Sequence, residues 1–268
     1  MPAAAALRLQ IEHALASRFP SALTPGPCTI REVAPTGIEE ADRLLDGGLP
    51  VGAISEITGP ASSGRTSLAL SFLARRTAEG RVCAWVDTND AFDPESAAAN
   101  GVDLRQLLWV RCQDLPQPQP RAARAPRSEK GKPWTKLDQA LRATDLLLQA
   151  AGFAAIVLDV GDPAPQHGNR IPLATWFRFR QAADRTRCSL VVLGQAAYAQ
   201  SSAAVALECS PLEAETAGGT VLRGFTFRLQ RGRQRFTPIS PGPLSPGPRK
   251  PPASTWSAHS PWDTEKRA

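Results

Sequence analysis

The sequence lacks any stretch of about 18 apolar residues, so no membrane-spanning helix is read from it. Close cysteine pairs are missing as well. Cys28, Cys83, Cys112, Cys188 and Cys209 never stand in C-x-x-C spacing. An odd count without close pairs argues against a disulfide framework and against a structural zinc site, and no redox cofactor is expected. Cys83 and Cys188 sit in apolar runs and read as buried small hydrophobes. Histidine is scarce: His13, His167 and His259 are scattered, and none is assigned a metal or catalytic role. The N-terminus carries Arg8, Glu12 and His13 and no long apolar run, which does not fit a signal peptide. The expectation is a reduced, cytoplasmic protein with no membrane contact.

What is present is enough for a core. With 268 residues, 42% of them hydrophobic, the chain can form one large α/β domain plus tails. A net charge of +6 gives a mild bias toward polyanionic partners, although many basic soluble proteins have no such partner. Residues 1–27 read as an N-terminal helix and linker: Leu7, Ile11, Leu15 and Phe19 form one apolar stripe that Pro20, Pro25 and Pro27 end. That helix docks either on its own domain or on a neighbouring subunit. Residues 28–236 read as the core. Helical segments at 37–45, 65–78, 94–100, 135–151 and 173–185 alternate with strand-like runs at 53–57, 82–86, 107–110, 155–159 and 189–193. Such alternation requires right-handed crossovers and a mainly parallel sheet flanked by helices. Two β-rich segments follow, near 205–209 and 220–230. In the second, Phe225, Phe227 and Leu229 alternate with polar residues, as in a strand with one buried face. A Pro-rich basic insert at about 113–133 and a Pro/Ser/Gly-rich tail at 237–268 are expected to be disordered.

The chemistry concentrates in one loop. The strand Ala53–Ile57 leads into Gly59-Pro60-Ala61-Ser62-Ser63-Gly64-Arg65-Thr66, followed by Ser67. The spacing G-x-x-x-x-G-x-[ST] is that of a phosphate-binding loop, with arginine where nucleotide-hydrolysing families have lysine. Gly59 and Gly64 permit a tight turn whose N–H groups can cradle phosphate oxygens, and the following helix adds its positive end. Thr66 can offer a hydroxyl to Mg²⁺. Arg65 keeps the charge but is planar and bulkier than a lysine ammonium. Asp87, Asp159 and Gln195 fall, like the loop, at the carboxyl ends of expected central strands, where open α/β sheets bind ligands. Asp159 stands where a carboxylate holds the water shell of Mg²⁺.

In this order the residues resemble the bacterial RecA recombinase family, hence a RecA-like P-loop NTPase core. The resemblance is dense from Gly47 to Val110 and includes the run Gly47 to Thr66, the segment Asp87-Thr-Asn-Asp-Ala-Phe-Asp-Pro94, and Gly101-Val-Asp103 with Leu107-Leu108. It implies ATP with Mg²⁺ as the cofactor, contacts from residues 59–67 and Asp93, Mg²⁺ at Thr66 and Asp159, and Gln195 as a switch that senses the γ-phosphate. The departures are specific. Asn89 stands at the catalytic-glutamate position and cannot act as a general base; Asp90, next to it, would project elsewhere. Ser96 falls where a tyrosine stacks on adenine. The segment after Asp159 is short, and the large C-terminal domain is absent. With these losses the chain resembles the ImuA branch, also through Leu141–Leu148 and Ile171–Arg178. That resemblance implies a catalytically degenerate accessory factor of translesion synthesis in the SOS response. Its partners would be error-prone polymerase machinery, RecA-like or self subunits, and single-stranded DNA. The alternative is a functional DNA-dependent ATPase of homologous recombination.

Arg223, Arg228, Arg231, Arg233 and Arg235 lie in a stretch with no acid. Arg228, Arg231, Arg233 and Arg235 are DNA-phosphate candidates; a solvated strand end or a subunit contact is the other reading. Phe225 and Phe227 read as core, and on the helix around 173–185 Trp176 and Phe177 are expected to pack on the sheet while Arg178 faces solvent.

Overall fold

A computed structural model describes residues 29–113, 135–161, 171–217, 221–238 and 253–259. The expected N-terminal helix, nearly all of the basic insert, Cys28, His13 and His167 lie outside the described residues. In chain order the first half comprises Thr29–Arg31 (β1), Val33–Ala34 (β2), Glu39–Leu44 (α1), Leu49–Pro50 (β3), Ile54–Thr58 (β4), Arg65–Ala78 (α2), Cys83–Asp87 (β5), Pro94–Ala99 (α3) and Leu107–Arg111 (β6). The second half comprises Lys136–Ala150 (α4), Ala155–Asp159 (β7), Leu173–Thr186 (α5), Ser189–Gly194 (β8), Val205–Ala217 (β9), Val221–Gln234 (β10), Phe236–Pro238 (β11) and Ala253–His259 (β12).

The main sheet has eight strands in the order β12-β10-β9-β4-β8-β7-β5-β6. All pairings from β9 to β6 are parallel; β10 is antiparallel to both β9 and β12. The central strands are continuous apolar runs because both faces are covered. Ile57, Trp85, Val157 and Leu193 face one core with Leu68, Phe72 and Leu73 of α2. Ile54, Val86, Leu158 and Val192 face the other, with Leu148 of α4 and Trp176 and Phe179 of α5. Local chemistry sets the helix starts. Thr135 and Asp138 form a reciprocal capping box at α4, and Asp93 caps α3 ahead of Pro94.

Three expectations change. The tail is not without structure: residues 253–259 form β12, because Trp256 alternates inward between exposed Thr255 and Ser257 and is buried beside Phe227. Phe177 is 56% exposed; on α5 the inward face is Trp176, Phe179 and Ala183, and position 177 is rotated away from it. Phe225, near the end where β9 connects to β10, is 36% exposed, while Phe227 and Leu229 are buried. Arg178 faces solvent as expected and pairs with Asp145 of α4 at 3.0 Å.

Cys83, Cys112, Cys188 and Cys209 are free and buried. Burial pushes the thiols of Cys83, Cys188 and Cys209 up to about 12. Near pH 8 only roughly one in 10⁴ of each would be thiolate, the nucleophilic form. Native protein treated with a thiol reagent near pH 8 is therefore expected to leave these three unlabelled in a peptide mass map, and denatured protein to label all three. Because their folded pKa lies above the unfolded value of 9.0, their contribution to stability is present below about pH 9 and is lost as pH rises toward 12.

Candidate nucleotide site at the carboxyl ends of the central strands

β4 delivers the glycine-rich loop to the edge of the sheet. The Gly59 N–H donates to the Gly194 carbonyl at the end of β8, 3.2 Å away, which ties the loop to the neighbouring strand. Gly64 closes the loop in the left-handed region (φ 84, ψ −1), a conformation that favours glycine. The first intrahelical bond of α2 runs from Leu68 N–H to the Gly64 carbonyl, 2.9 Å. The N–H groups of Arg65, Thr66 and Ser67 precede it, as at any helix start, and lie at the positive end of a 14-residue helix. Arg65 turns back across the loop, its Nη1 donating to the Gly59 carbonyl. The Ser63 hydroxyl is buried with no hydrogen-bond partner among the described residues, and Thr66 is exposed on the first turn. A cradle with an orphaned hydroxyl and an anchored cation is suited to an anionic ligand.

Strand register fixes what stands beside the loop. Thr58 is level with Gly194, Leu193 with Asp159, and Asp159 with Asp87. Asp159 Oδ1 accepts the Gly161 N–H at 2.9 Å, and Thr88 Oγ1 donates to the Asp159 carbonyl at 2.6 Å. The Asn89 amide lies against Gly161, at a point where any Cβ would collide with it. Gly161 also has φ 68, so both backbone and space call for glycine. Asn89, two residues past Asp87, thus stands against Gly161, itself two residues past Asp159, and presents an amide where a carboxylate would be needed to accept a proton.

The other acids here are committed to structure. Asp87 is fully buried and gathers the following loop: Oδ1 accepts from Asn89 N–H and Ala91 N–H at 3.1 Å each, and Oδ2 from Phe92 N–H at 2.8 Å and Trp109 Nε1–H at 3.4 Å. Asp90 does project elsewhere, held by Arg111 through two bonds of 2.6 Å that keep its carboxyl below the ordinary range. Asp93 caps α3, accepting from Glu95 N–H and Ser96 N–H and from the Ser96 hydroxyl, and these bonds lower its pKa. Gln195 follows β8 directly and is exposed, adjacent to the loop.

Sequence reasoning passed over Glu56. It points from β4 into the core on the α5 side of the sheet, 1% exposed. Its Oε1 accepts from Tyr198 N–H at 2.5 Å and Ala199 N–H at 2.7 Å. From the other side Arg233 donates to the Gln200 carbonyl, and Arg235 Nη1 to the Ser201 carbonyl at 2.8 Å. The segment just beyond Gln195 is therefore gripped by an acid on its N–H groups and by two arginines on its carbonyls. Arg231 pairs with Asp46 at 3.1 Å and with Gln234 at 2.6 Å. Of the four DNA candidates, Arg228 is exposed with no partner among the described residues. The signal for Glu56 was readable: it is a single acid inside an apolar strand run.

Residues 28–118 match the RecA N-terminal domain family. Protein RecA of Brucella anthropi is 32% identical over 179 residues, which is 61% of this chain and 44% of that protein. Protein RecA of Cutibacterium acnes is 39% identical over 126 residues, 47% of this chain and 30% of that protein. The chain spans less than half the length of these curated relatives. The crystal structure of the RadB recombinase superposes with a TM-score of 0.53 at 18% identity, covering 76% of this chain and 91% of that one. The fold is a RecA-like α/β core. Over residues 28–118 the sequence is similar to the RecA N-terminal domain, in keeping with that fold.

Burial raises the pKa of Glu56, and the bonds from Ala199 and Tyr198 and the charge of Arg233 offset this only in part. A folded pKa above the unfolded 4.5 means a contribution present below about pH 4.5 that is lost as pH rises through the folded value. Glu56→Gln keeps the acceptor and removes the buried charge. It is expected to match or exceed wild-type stability, by more at pH 7 than at pH 4. Glu56→Ala leaves two buried N–H groups unpaired, at about 1–3 kcal/mol each. Denaturant melts at the two pH values check both.

Proposed function

We propose that the chain is a catalytically degenerate RecA-like protein that holds ATP without productive turnover and serves as an accessory factor in translesion synthesis. The observation that carries this reading is the Asn89 amide packed on Gly161 beside Asp159, where an attacking water would need a base. Removing a general base lowers a rate by about 10²–10⁴-fold. Arg65 adds to the effect, because its guanidinium is bound to the Gly59 carbonyl as part of the loop.

Nucleotide and metal nevertheless fit the residues present. The orphaned Ser63 hydroxyl, the leading N–H groups of α2 and Arg65 would hold phosphates. Among the described residues no group of three or more His, Cys, Asp or Glu could hold a metal on its own. Thr66 and Asp159 with phosphate oxygens match the way Mg²⁺ is usually bound, through one or two protein ligands and its nucleotide. Bound Mg–ATP would supply a negative charge beside Gln195. Gln195 leads into the gripped segment at Tyr198–Ser201, so a bound phosphate could be registered there without hydrolysis. Single-stranded DNA and polymerase partners belong to this proposal by resemblance. For DNA, Arg228 is the exposed candidate, whereas Arg231, Arg233 and Arg235 hold the protein's own groups. The second reading, a DNA-dependent ATPase of recombination, is favoured by the retention of Thr66, Asp159 and Gln195.

Steady-state ATP turnover with single-stranded DNA should lie near the protein-free rate. The double substitution Asn89→Glu with Arg65→Lys should raise it by tenfold or more. Wild-type turnover well above background that Asp159→Ala abolishes would establish the second reading instead. Replacing Arg228 with Ala should reduce the salt dependence of single-strand affinity by about one unit of log–log slope. Replacing Arg235 should lower the melting temperature and leave that slope unchanged.

A further inference from the structure

The last glycine of the phosphate loop rests on an aromatic ring from β10, two strands from β4 in the sheet. A Cβ on Gly64 would lie 2.7 Å from Phe227 Cγ and 2.9 Å from Cδ1 and Cδ2. The near-equal distances set the ring's Cγ end squarely beneath the loop. Phe227 stands on β10 and is 4% exposed. Directly opposite it in the β10–β12 register is Trp256, with ring centroids 4.7 Å apart at 39°. Trp256 is 6% exposed, and its Nε1 is buried without a hydrogen-bond partner among the described residues.

We propose that β12 is a detachable support for the phosphate loop, in which Trp256 holds Phe227 and Phe227 holds Gly64. The chain of contact is short and made of rigid parts. Gly64 has no side chain with which to brace itself, and its left-handed backbone defines where the N–H groups of Arg65 and Thr66 point. Phe227 fills the space on one side of that backbone. Phe227 in turn keeps its place because Trp256 covers it, an aromatic pair at favoured separation. β12 is the outermost strand of the sheet, hydrogen-bonded to β10 alone. An edge strand of this kind, with one unpaired polar group buried in its anchor, opens at lower cost than the central strands. When it opens, Phe227 loses the neighbour that fixes it, and the loop loses its floor. A ligand that needs the ordered loop and the docked strand then favour one another, as linkage demands. That consequence rests on the nucleotide reading above; the mechanical support does not.

The test uses ligand-free, full-length protein, so its outcome does not depend on nucleotide binding. Hydrogen–deuterium exchange is followed in three segments: 59–68 (the loop and first turn of α2), 83–87 (β5) and 253–259 (β12). The expected result for Trp256→Ala is faster exchange at 253–259 and about tenfold faster exchange at 59–68, with 83–87 unchanged. Trp256→Phe, which keeps a ring, should restore loop protection, and Thr255→Ala, on the exposed side of the same strand, should leave it as in wild type. If Trp256→Ala frees β12 while exchange at 59–68 stays at the wild-type rate, the proposal is overturned. It is equally overturned if all three segments accelerate together, since Trp256 is then ordinary core. Should Trp256→Ala fail to fold, Trp256→Leu, which keeps an apolar side chain without the ring contact, is read by the same criteria.

Discussion

The arrangement depends on the parallel register of the central strands. Because β4, β8, β7 and β5 are hydrogen-bonded side by side with their ends level, the phosphate loop, Gln195, Asp159 and the Asn89 turn emerge along one edge, with adjacent strands about 4.8 Å apart. That register is secured by burial on both faces. A one-residue slip would exchange the side chains that face α2 with those that face α4 and α5. The site is therefore a consequence of the core, and its residues need only be the right type at strand ends.

Within that frame the acids divide by what they touch. Asp87 is spent on three N–H groups of its own loop and on Trp109 of β6, Asp90 on Arg111 and Asp93 on the start of α3. Asp159 remains at the carboxyl edge beside the phosphate loop. On the proposed reading the loss of chemistry is local: an amide at position 89 where a carboxylate would act, and a guanidinium at position 65 where an ammonium would. Neither change disturbs the scaffold that would hold a nucleotide, because the cradle is made of backbone N–H groups and a helix terminus. Binding and turnover rest on different residues, so a chain can lose one and retain the other.

Much of this was legible in the sequence because it follows from period and punctuation. The strand-like runs at 82–86, 155–159 and 189–193 announced buried parallel strands, and the spacing from Gly59 to Thr66 announced the loop. What was not legible depends on contacts between distant segments. Compositional bias made the tail look structureless, yet Trp256 within it finds Phe227, 29 residues earlier, and becomes part of the sheet. Phe177 and Trp176 are adjacent in sequence, but a helix separates them by about 100°, and only the second faces the sheet. The arginines at 233 and 235 looked free because no acid lies nearby in the chain; their partners are carbonyl groups of residues 200 and 201.

The central claim is that the loop binds ATP and leaves it whole. Phosphorus NMR of ATP and Mg²⁺ with stoichiometric protein and single-stranded DNA tests it in one sample, since the same spectrum reports binding and cleavage. The account predicts broadened or shifted nucleotide resonances that persist, with no growth of ADP and inorganic phosphate beyond a protein-free control. Unaltered ATP resonances, or steady conversion to ADP and phosphate that Asp159→Ala abolishes, would contradict it.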